Sequence, residues 1–144
     1  MAGDGPRGTP RHATLDRLVA EGFRNLAADP IELAQPLVVL TGGNAQGKTS
    51  VLEAAYMAAT TRSFRSTDPR DAIRHEQTRL QVLATLQDGE TLGLDRGRQR
   101  GDRRLYVGKL EVKLDEYLEH LQALVLTGQS SREIAGSPAE RRRS

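Results

Sequence analysis

No cysteine occurs anywhere in the 144 residues. That removes disulfides, thiolate nucleophiles and cysteine-based zinc sites together, and it fits a reducing, cytoplasmic setting. Tryptophan is absent too, and the aromatics number five: Phe23, Phe64, Tyr56, Tyr106 and Tyr117. So few rings argue against an aromatic platform for stacking the bases of a single strand. No run approaches the roughly eighteen apolar residues that a bilayer-spanning helix needs, and the N-terminus offers no apolar stretch for export. His12, His75 and His120 lie too far apart in sequence for metal-ligand spacing, and no Ser/His/Asp arrangement stands out. What remains has the profile of one globular domain with a real core, 37% apolar and 28% charged. Net charge is only +2, with arginine supplying 18 of the 21 basic residues. Charge balance alone therefore does not name a partner.

Residues 1–13 combine three glycines and two prolines with no apolar run, and they read as a disordered leader or an early start codon. Order is expected from Thr14 onward, as one domain over 14–144. The pattern predicts a strand from Leu15 toward Gly22, then a short one over Ile31–Leu33. After Pro36, the run Leu37-Val38-Val39-Leu40 reads as a central strand buried on both faces. A helix is expected from Thr49 or Ser50 to Thr60, apolar nearly all round and therefore buried. Residues 61–78 read as loop or short helix. Leu80, Val82, Ala84 and Leu86 alternate over a strand, which Asp88-Gly89 turns into a second strand over Glu90–Leu94. An Arg-rich loop, Asp95–Arg104, leads to Leu105–Val107, and Gly108-Lys109 turns into Leu110–Val112. Leu114, Leu118 and Leu121 mark a short amphipathic helix, and Ala123–Leu126 reads as a further strand. The tail from Gly128 reads as a loop entering a helix near Ser137-Pro138. The fold class expected is α/β, with strand hairpins flanking the central helix.

Between the Leu37–Leu40 run and that helix lies Gly42-Gly43-Asn44-Ala45-Gln46-Gly47-Lys48-Thr49, which satisfies G-x-x-x-x-G-K-[ST]. Small residues let successive backbone N–H groups converge on phosphate oxygens, and the helix that follows adds its positive dipole end. Lys48 would place a point charge on the β- and γ-phosphates, and the Thr49 hydroxyl would complete the coordination of Mg²⁺. Asn44 could hydrogen-bond a phosphate or only stabilise the turn. The motif and its setting imply a P-loop fold that binds a nucleoside triphosphate with Mg²⁺. They do not specify the base.

Phe23-Arg24-Asn25-Leu26, the P-loop, Leu52-Glu53-Ala54-Ala55-Tyr56 and Thr60-Thr61-Arg62-Ser63-Phe64-Arg65 together resemble the RecF family of recombination mediators. So does Gly136-Ser137-Pro138-Ala139-Glu140-Arg141-Arg142-Arg143, which is similar to the segment before the family's helical arm. The resemblance runs from Thr14 to the last residue. It implies the N-terminal part of an ABC-type, SMC-like ATPase head that binds ATP and dimerises around it. It also implies binding of DNA, both duplex and single-strand/duplex junctions, and loading of recombinase at single-stranded gaps with RecO and RecR. By the same resemblance Arg24 and Asn25 approach the nucleotide, and Arg65 lies close to nucleotide and DNA, where it would couple DNA binding to turnover. Gln129 stands where such heads place a Gln that reaches Mg²⁺ and the attacking water; a plain polar loop residue is the alternative.

Two positions depart from the family pattern: Ala45 and Thr61 both stand where it usually has glycine. The Walker B carboxylate and the Ser-Gly-Gly signature have no counterpart in this sequence, the nearest approach being Leu92-Gly93-Leu94-Asp95. This stretch alone is therefore expected to turn ATP over barely above background. The basic cluster with Arg96, Arg98 and Arg100 reads either as a solvated loop or as a set of DNA phosphate contacts. An unrelated P-loop kinase or small NTPase, or a nucleotide-binding module without activity of its own, is the competing reading.

Overall fold

The computed structural model describes residues 13–43 and 47–126. Six strands in these residues form one sheet: β1 (Leu15–Glu21), β2 (Ile31–Glu32), β3 (Arg79–Leu86), β4 (Thr91–Gly97), β5 (Arg103–Val107) and β6 (Leu110–Val112). Their order is β2-β1-β3-β4-β5-β6, and every pairing is antiparallel. One long helix, α1 (Lys48–Thr60), packs on β3 and β4. A 3-10 turn spans Pro69–Ala72, and a short helix, α2 (Leu114–Tyr117), follows β6.

The period-2 alternation decides which face of the sheet meets α1. Leu18 and Ala20, then Leu80, Val82, Ala84 and Leu86, then Leu92 and Leu94, then Leu105 are all buried on that side. Register keeps them together: Ala84 faces both Leu18 and Leu92, and Val82 faces both Ala20 and Leu94. Burying a side chain of this size is worth about 1.5–3 kcal/mol. From the helix come Ala54, Met57, Ala58 and Ala59. Tyr117 closes the far end; its hydroxyl donates to the Ala58 carbonyl at 2.6 Å, which ties α2 to α1. Burial pushes that phenol well above its ordinary range. At Gly22 the chain turns at φ +64 with the Arg79 carbonyl so close that a Cβ would stand 2.4 Å from it. Only glycine fits there.

The first strand, the hairpin strands and the short helix near Leu114 form as the pattern predicts, with shifted ends. The Arg-rich loop is shorter than expected. β4 runs on through Asp95 and Arg96 to Gly97, and β5 begins at Arg103, leaving 98–102 as the turn. Polar residues do not end these strands because alternation continues through them. Asp95 goes to the outer face, where Arg79 donates to it at 2.5 Å and also reaches Asp102 at 3.3 Å.

Three expectations need correction. Leu37–Leu40 is not a buried central strand: it forms no ladder, and Leu37 and Val39 are 80% and 71% exposed. Apolar composition suits a strand but does not make one: a strand needs a ladder partner, and no described strand pairs with this run. Ala123–Leu126 is irregular for the same reason, with Leu124 and Leu126 exposed. Nor is α1 buried all round. The sheet covers one side of it and leaves Leu52 open to solvent. The leader apart from Ala13, the helix expected near Ser137 and the RecF-like tail lie outside the described residues.

Candidate functional site

α1 starts at the lysine of the glycine-rich motif. Gly47 precedes it in the left-handed region (φ +85) and takes the N-cap position without a side-chain cap; its carbonyl accepts the first helical bond from Val51 N–H. A Cβ on Gly47 would lie 3.1 Å from Leu26 and 3.4 Å from Asn25. Conformation and space both ask for glycine here. The Lys48 ammonium folds back to donate to the Gly42 carbonyl at 2.6 Å. It therefore lies over the loop it would share with a phosphate. Thr49 is exposed on the first turn. Among the described residues no three Asp, Glu or His side chains converge as a metal site. A divalent ion at this loop would rest on Thr49 and on phosphate oxygens, and that donor set suits Mg²⁺. Asn44, Ala45 and Gln46, and also Gln129, lie outside the described residues.

Under the loop sits a shelf made by the chain just after β1. Phe23 bridges to Ile73, Arg24 N–H donates to the Ala72 carbonyl at 2.8 Å, and Arg74 donates to the carbonyls of Arg24 and Leu26. Arg24 is held at φ +41. These staples bring Arg24 and Asn25, remote in sequence, against the start of α1. Ser50 donates to Asn25 Oδ1 at 3.1 Å.

One helical turn further on, Glu53 is fully buried. Arg24 grips it bidentately, Nε to Oε2 at 2.6 Å and Nη2 to Oε1 at 2.9 Å. Ser63 donates to Oε1 at 2.6 Å, and Arg65 Nη1 reaches Oε2 at 3.3 Å and Ser50 at 3.4 Å. Burial pushes the carboxyl up, but hydrogen bonds from Arg24 and Ser63 and the charges of both arginines outweigh it, so Glu53 titrates below its ordinary 4.5. The Arg24 guanidinium is pushed up, chiefly by its hydrogen bond to Glu53. Glu53 is thus a hub joining the shelf, the P-loop helix and the segment after it. In sequence Glu53 carries meaning only within the RecF-like Leu52–Tyr56 stretch. The signal was there: a lone acid in the otherwise apolar run from Val51 to Ala59.

The basic cluster divides. Arg98 donates to the carbonyls of Gln77 (2.8 Å), Arg74 (2.9 Å) and His75 (3.2 Å), so its guanidinium holds the chain before β3. Arg100 is exposed in the β4–β5 turn. Arg96 turns inward beside Leu94, and its Nε is buried without a hydrogen-bond partner. Burial, then the charge of Arg103, pushes the Arg96 guanidinium down. Asp95 is no Walker B counterpart: it lies in an antiparallel hairpin, bound by Arg79 and Gln81. No helix among the described residues is long and apolar enough to cross a membrane.

A family model described as an AAA domain matches residues 17–122. Among curated relatives, the DNA replication and repair protein RecF of Lactobacillus acidophilus is 32% identical over 131 residues, covering 90% of this chain and 35% of the relative. That of a Cyanothece species is 37% identical over 131 residues, covering 89% and 35%. The chain thus spans about a third of the length of these relatives. Two solved structures share the fold. One is the recombination mediator protein RecF-ATP in the RecFOR pathway, with TM-score 0.74 and 22% identity, over 92% of this chain and 38% of that one. The other comes from work on ATP-driven dimerisation and DNA-stimulated activation of SMC ATPases, with TM-score 0.72 and 17% identity, over 90% and 95%. The described fold is accordingly that of the N-terminal P-loop part of such ATPase heads, and the chain belongs to the AAA-domain family, as a relative of RecF.

Proposed function

We propose that the chain binds ATP with Mg²⁺ through Gly42–Ser50 and serves a RecF-type DNA repair and recombination protein. The observation that carries this is the P-loop helix seated on the Arg24–Asn25 shelf, with Lys48 over the loop and Thr49 exposed at its mouth. Asn44, Ala45 and Gln46 complete the cradle by sequence, and Gln129 is proposed to approach the metal. The reading is one of binding rather than turnover by this chain alone. Glu53, the acid on the loop's own helix, has both oxygens taken by donors and cannot activate a water. By kinship, the wider protein would dimerise around ATP in the cytoplasm. It would bind duplex DNA and single-strand/duplex junctions, and load recombinase at gaps with RecO and RecR. Phosphate contacts are proposed for Arg65, Arg96 and Arg100; Arg98, occupied by three carbonyls, is proposed to shape the turn that presents them.

Titration with a fluorescent ATP analogue in the presence of Mg²⁺ tests the nucleotide reading. Lys48→Ala removes a charge-assisted contact of about 1.5–3 kcal/mol, so affinity should fall roughly ten- to hundredfold. Equal affinity in the two proteins would end the assignment.

A further inference from the structure

Among the described residues the sheet has two unpaired edges, and the chain finishes them differently. At one edge, β2 is only two residues long, and its charge is taken up within the chain: Arg17 donates to Glu32 at 2.8 Å. At the other edge, β6 reads Leu110-Glu111-Val112, framed by Lys109 and Lys113. Leu110 is 73% exposed, and Glu111 and both lysines face solvent. Among the described residues none of these three charges has an ion-pair partner.

The hairpin sets which backbone groups point outward. Gly108-Lys109 is a two-residue turn with Gly108 at φ +60, closed by the Val107–Leu110 pair. The closing pair of such a turn exchanges its backbone bonds, and the pairs beyond it alternate. Leu110 and Val112 therefore bond inward to β5, and Glu111, opposite Tyr106, turns its N–H and carbonyl away from the sheet. Extended backbone continues one residue further, because Lys113 lies at φ −79, ψ 165 before α2 begins. Its N–H points to the same side as that of Glu111. Such a row is a template for another strand.

Lysines on an edge ordinarily keep other strands off. Here a glutamate stands between two of them, so the outcome depends on register. A second β6 laid antiparallel with Glu111 on Glu111 sets Lys109 on Lys113. Like charges then meet at every outward position, which is destabilising. Sliding that copy by two residues puts Glu111 on Lys113, and symmetry repeats the pair. Val112 then meets Val112, and the exposed Leu110 meets Leu114, the exposed first residue of α2. The opposite slide sets Glu111 on Lys109, but it draws the Gly108-Lys109 turn into the ladder. We infer that β6 is a self-association edge, to which a second copy of this chain adds its own β6 antiparallel with Glu111 opposite Lys113. No P-loop residue takes part, so the contact is independent of bound nucleotide and distinct from a dimer formed around ATP. Residues 110–113 of each copy make a patch below the roughly 1,200 Å² of stable interfaces, so the dimer is weak and concentration-dependent.

The test is sedimentation velocity of the full chain without nucleotide or Mg²⁺, from about 10 μM to about 1 mM, the range a small interface requires. The wild type should move from monomer toward dimer as concentration rises. Glu111→Lys and Lys113→Glu, both at exposed positions, should each weaken self-association at least about fivefold, since two opposite-charge pairs become like-charge pairs. An equimolar mixture of the two variants should associate again, because every pair across the edge then joins a lysine to a glutamate. The double variant Glu111→Lys/Lys113→Glu exchanges the charges and should match the wild type, which also fixes the register, since Lys109 would then face a lysine in the opposite slide. A wild type that stays monomeric throughout would overturn the inference, as would Glu111→Lys associating as the wild type does. Failure of both the mixture and the double variant to regain association would sink it too, and so would association that requires the ATP analogue. The ATP-analogue titration is a separate measurement, so the nucleotide reading and this edge can fail independently.

Discussion

Glu53 and Arg96 are two charged groups that the fold draws inward, and it treats them in opposite ways. Glu53 receives Arg24 twice, Ser63 and Arg65, so each oxygen has two donors. Arg96 sits across from another arginine with its Nε unpaired. A buried charge that is fully paired fixes structure, because removing either partner strands the other. Arg96 feels the charge of Asp68, but burial and the facing Arg103 outweigh it, so the group is tolerated rather than held. The difference separates the scaffold of the P-loop from the outer end of the β4–β5 ladder.

The sharpest way to break that contrast is Glu53→Ala. It leaves Arg24 and Arg65 facing each other without their shared anion and opens space beneath α1. Losing one member of a buried pair costs about 3–5 kcal/mol. Denaturant unfolding should show a loss of that size, and a loss under about 1 kcal/mol would mean the hub is dispensable.

Acid should reach the same hub more gently. The Glu53 carboxyl is held below its ordinary value in the folded chain. A depressed folded value contributes stability that is fully present above the unfolded value and lost as pH falls through the folded one. Thermal melts should therefore fall off below about pH 4, the ordinary carboxylate range. Glu53→Gln, less stable at neutral pH, should show a smaller drop over that window. Parallel pH profiles would assign the acid sensitivity elsewhere. Asp68, pulled down to about 2 first by its hydrogen bonds with Arg70, is exposed and should contribute little.

At Arg96 the sign should reverse. Arg96→Met removes a like-charge pair and places an apolar chain beside Leu80 and Leu94. We expect a gain of about 0.2–1 kcal/mol, the usual scale of a cross-strand pair. A loss exceeding 1 kcal/mol would show that Arg96 is held by favourable interactions and would weaken the contrast with Glu53.

The sequence carries these two residues unequally. Strand alternation is local, so β1, β3 and the hairpin after Asp88 could be read directly, and the glycine-rich loop is a contiguous pattern. Pairing is not local. The run Leu37–Leu40 has the composition of a buried strand, yet strandhood depends on an edge that another part of a chain must offer. In sequence Arg96 looks like loop because its neighbours are charged. It belongs to β4 because the ladder with β3 runs on through it: Asp95 reaches Arg79, 16 residues earlier, and Arg96 lies opposite Leu80. Glu53 stood out only as an acid among alanines, and its partners, 29 residues before it and 10 and 12 after it, come together through the staples at 72–74.

Thr61 supplies the smallest and most selective test, because it forms no ion pair or side-chain hydrogen bond with either charge and acts through the backbone at the end of α1. It caps α1 at φ +63, its N–H donating to the Met57 carbonyl at 2.8 Å. A β-branched residue is strained in that region by about 1–2 kcal/mol, whereas glycine enters it freely. Glycine carries an opposing cost, since it loses about 0.5–1 kcal/mol more chain entropy on folding. The buried Thr61 side chain contributes some packing that Gly would forfeit. The net expectation for Thr61→Gly is a gain of about 0.5 kcal/mol, a rise of about 2 °C in melting temperature for a domain of this size. The acid profile set by Glu53 should not move. If Thr61→Gly shifts the acid profile, the hub and the helix cap are coupled.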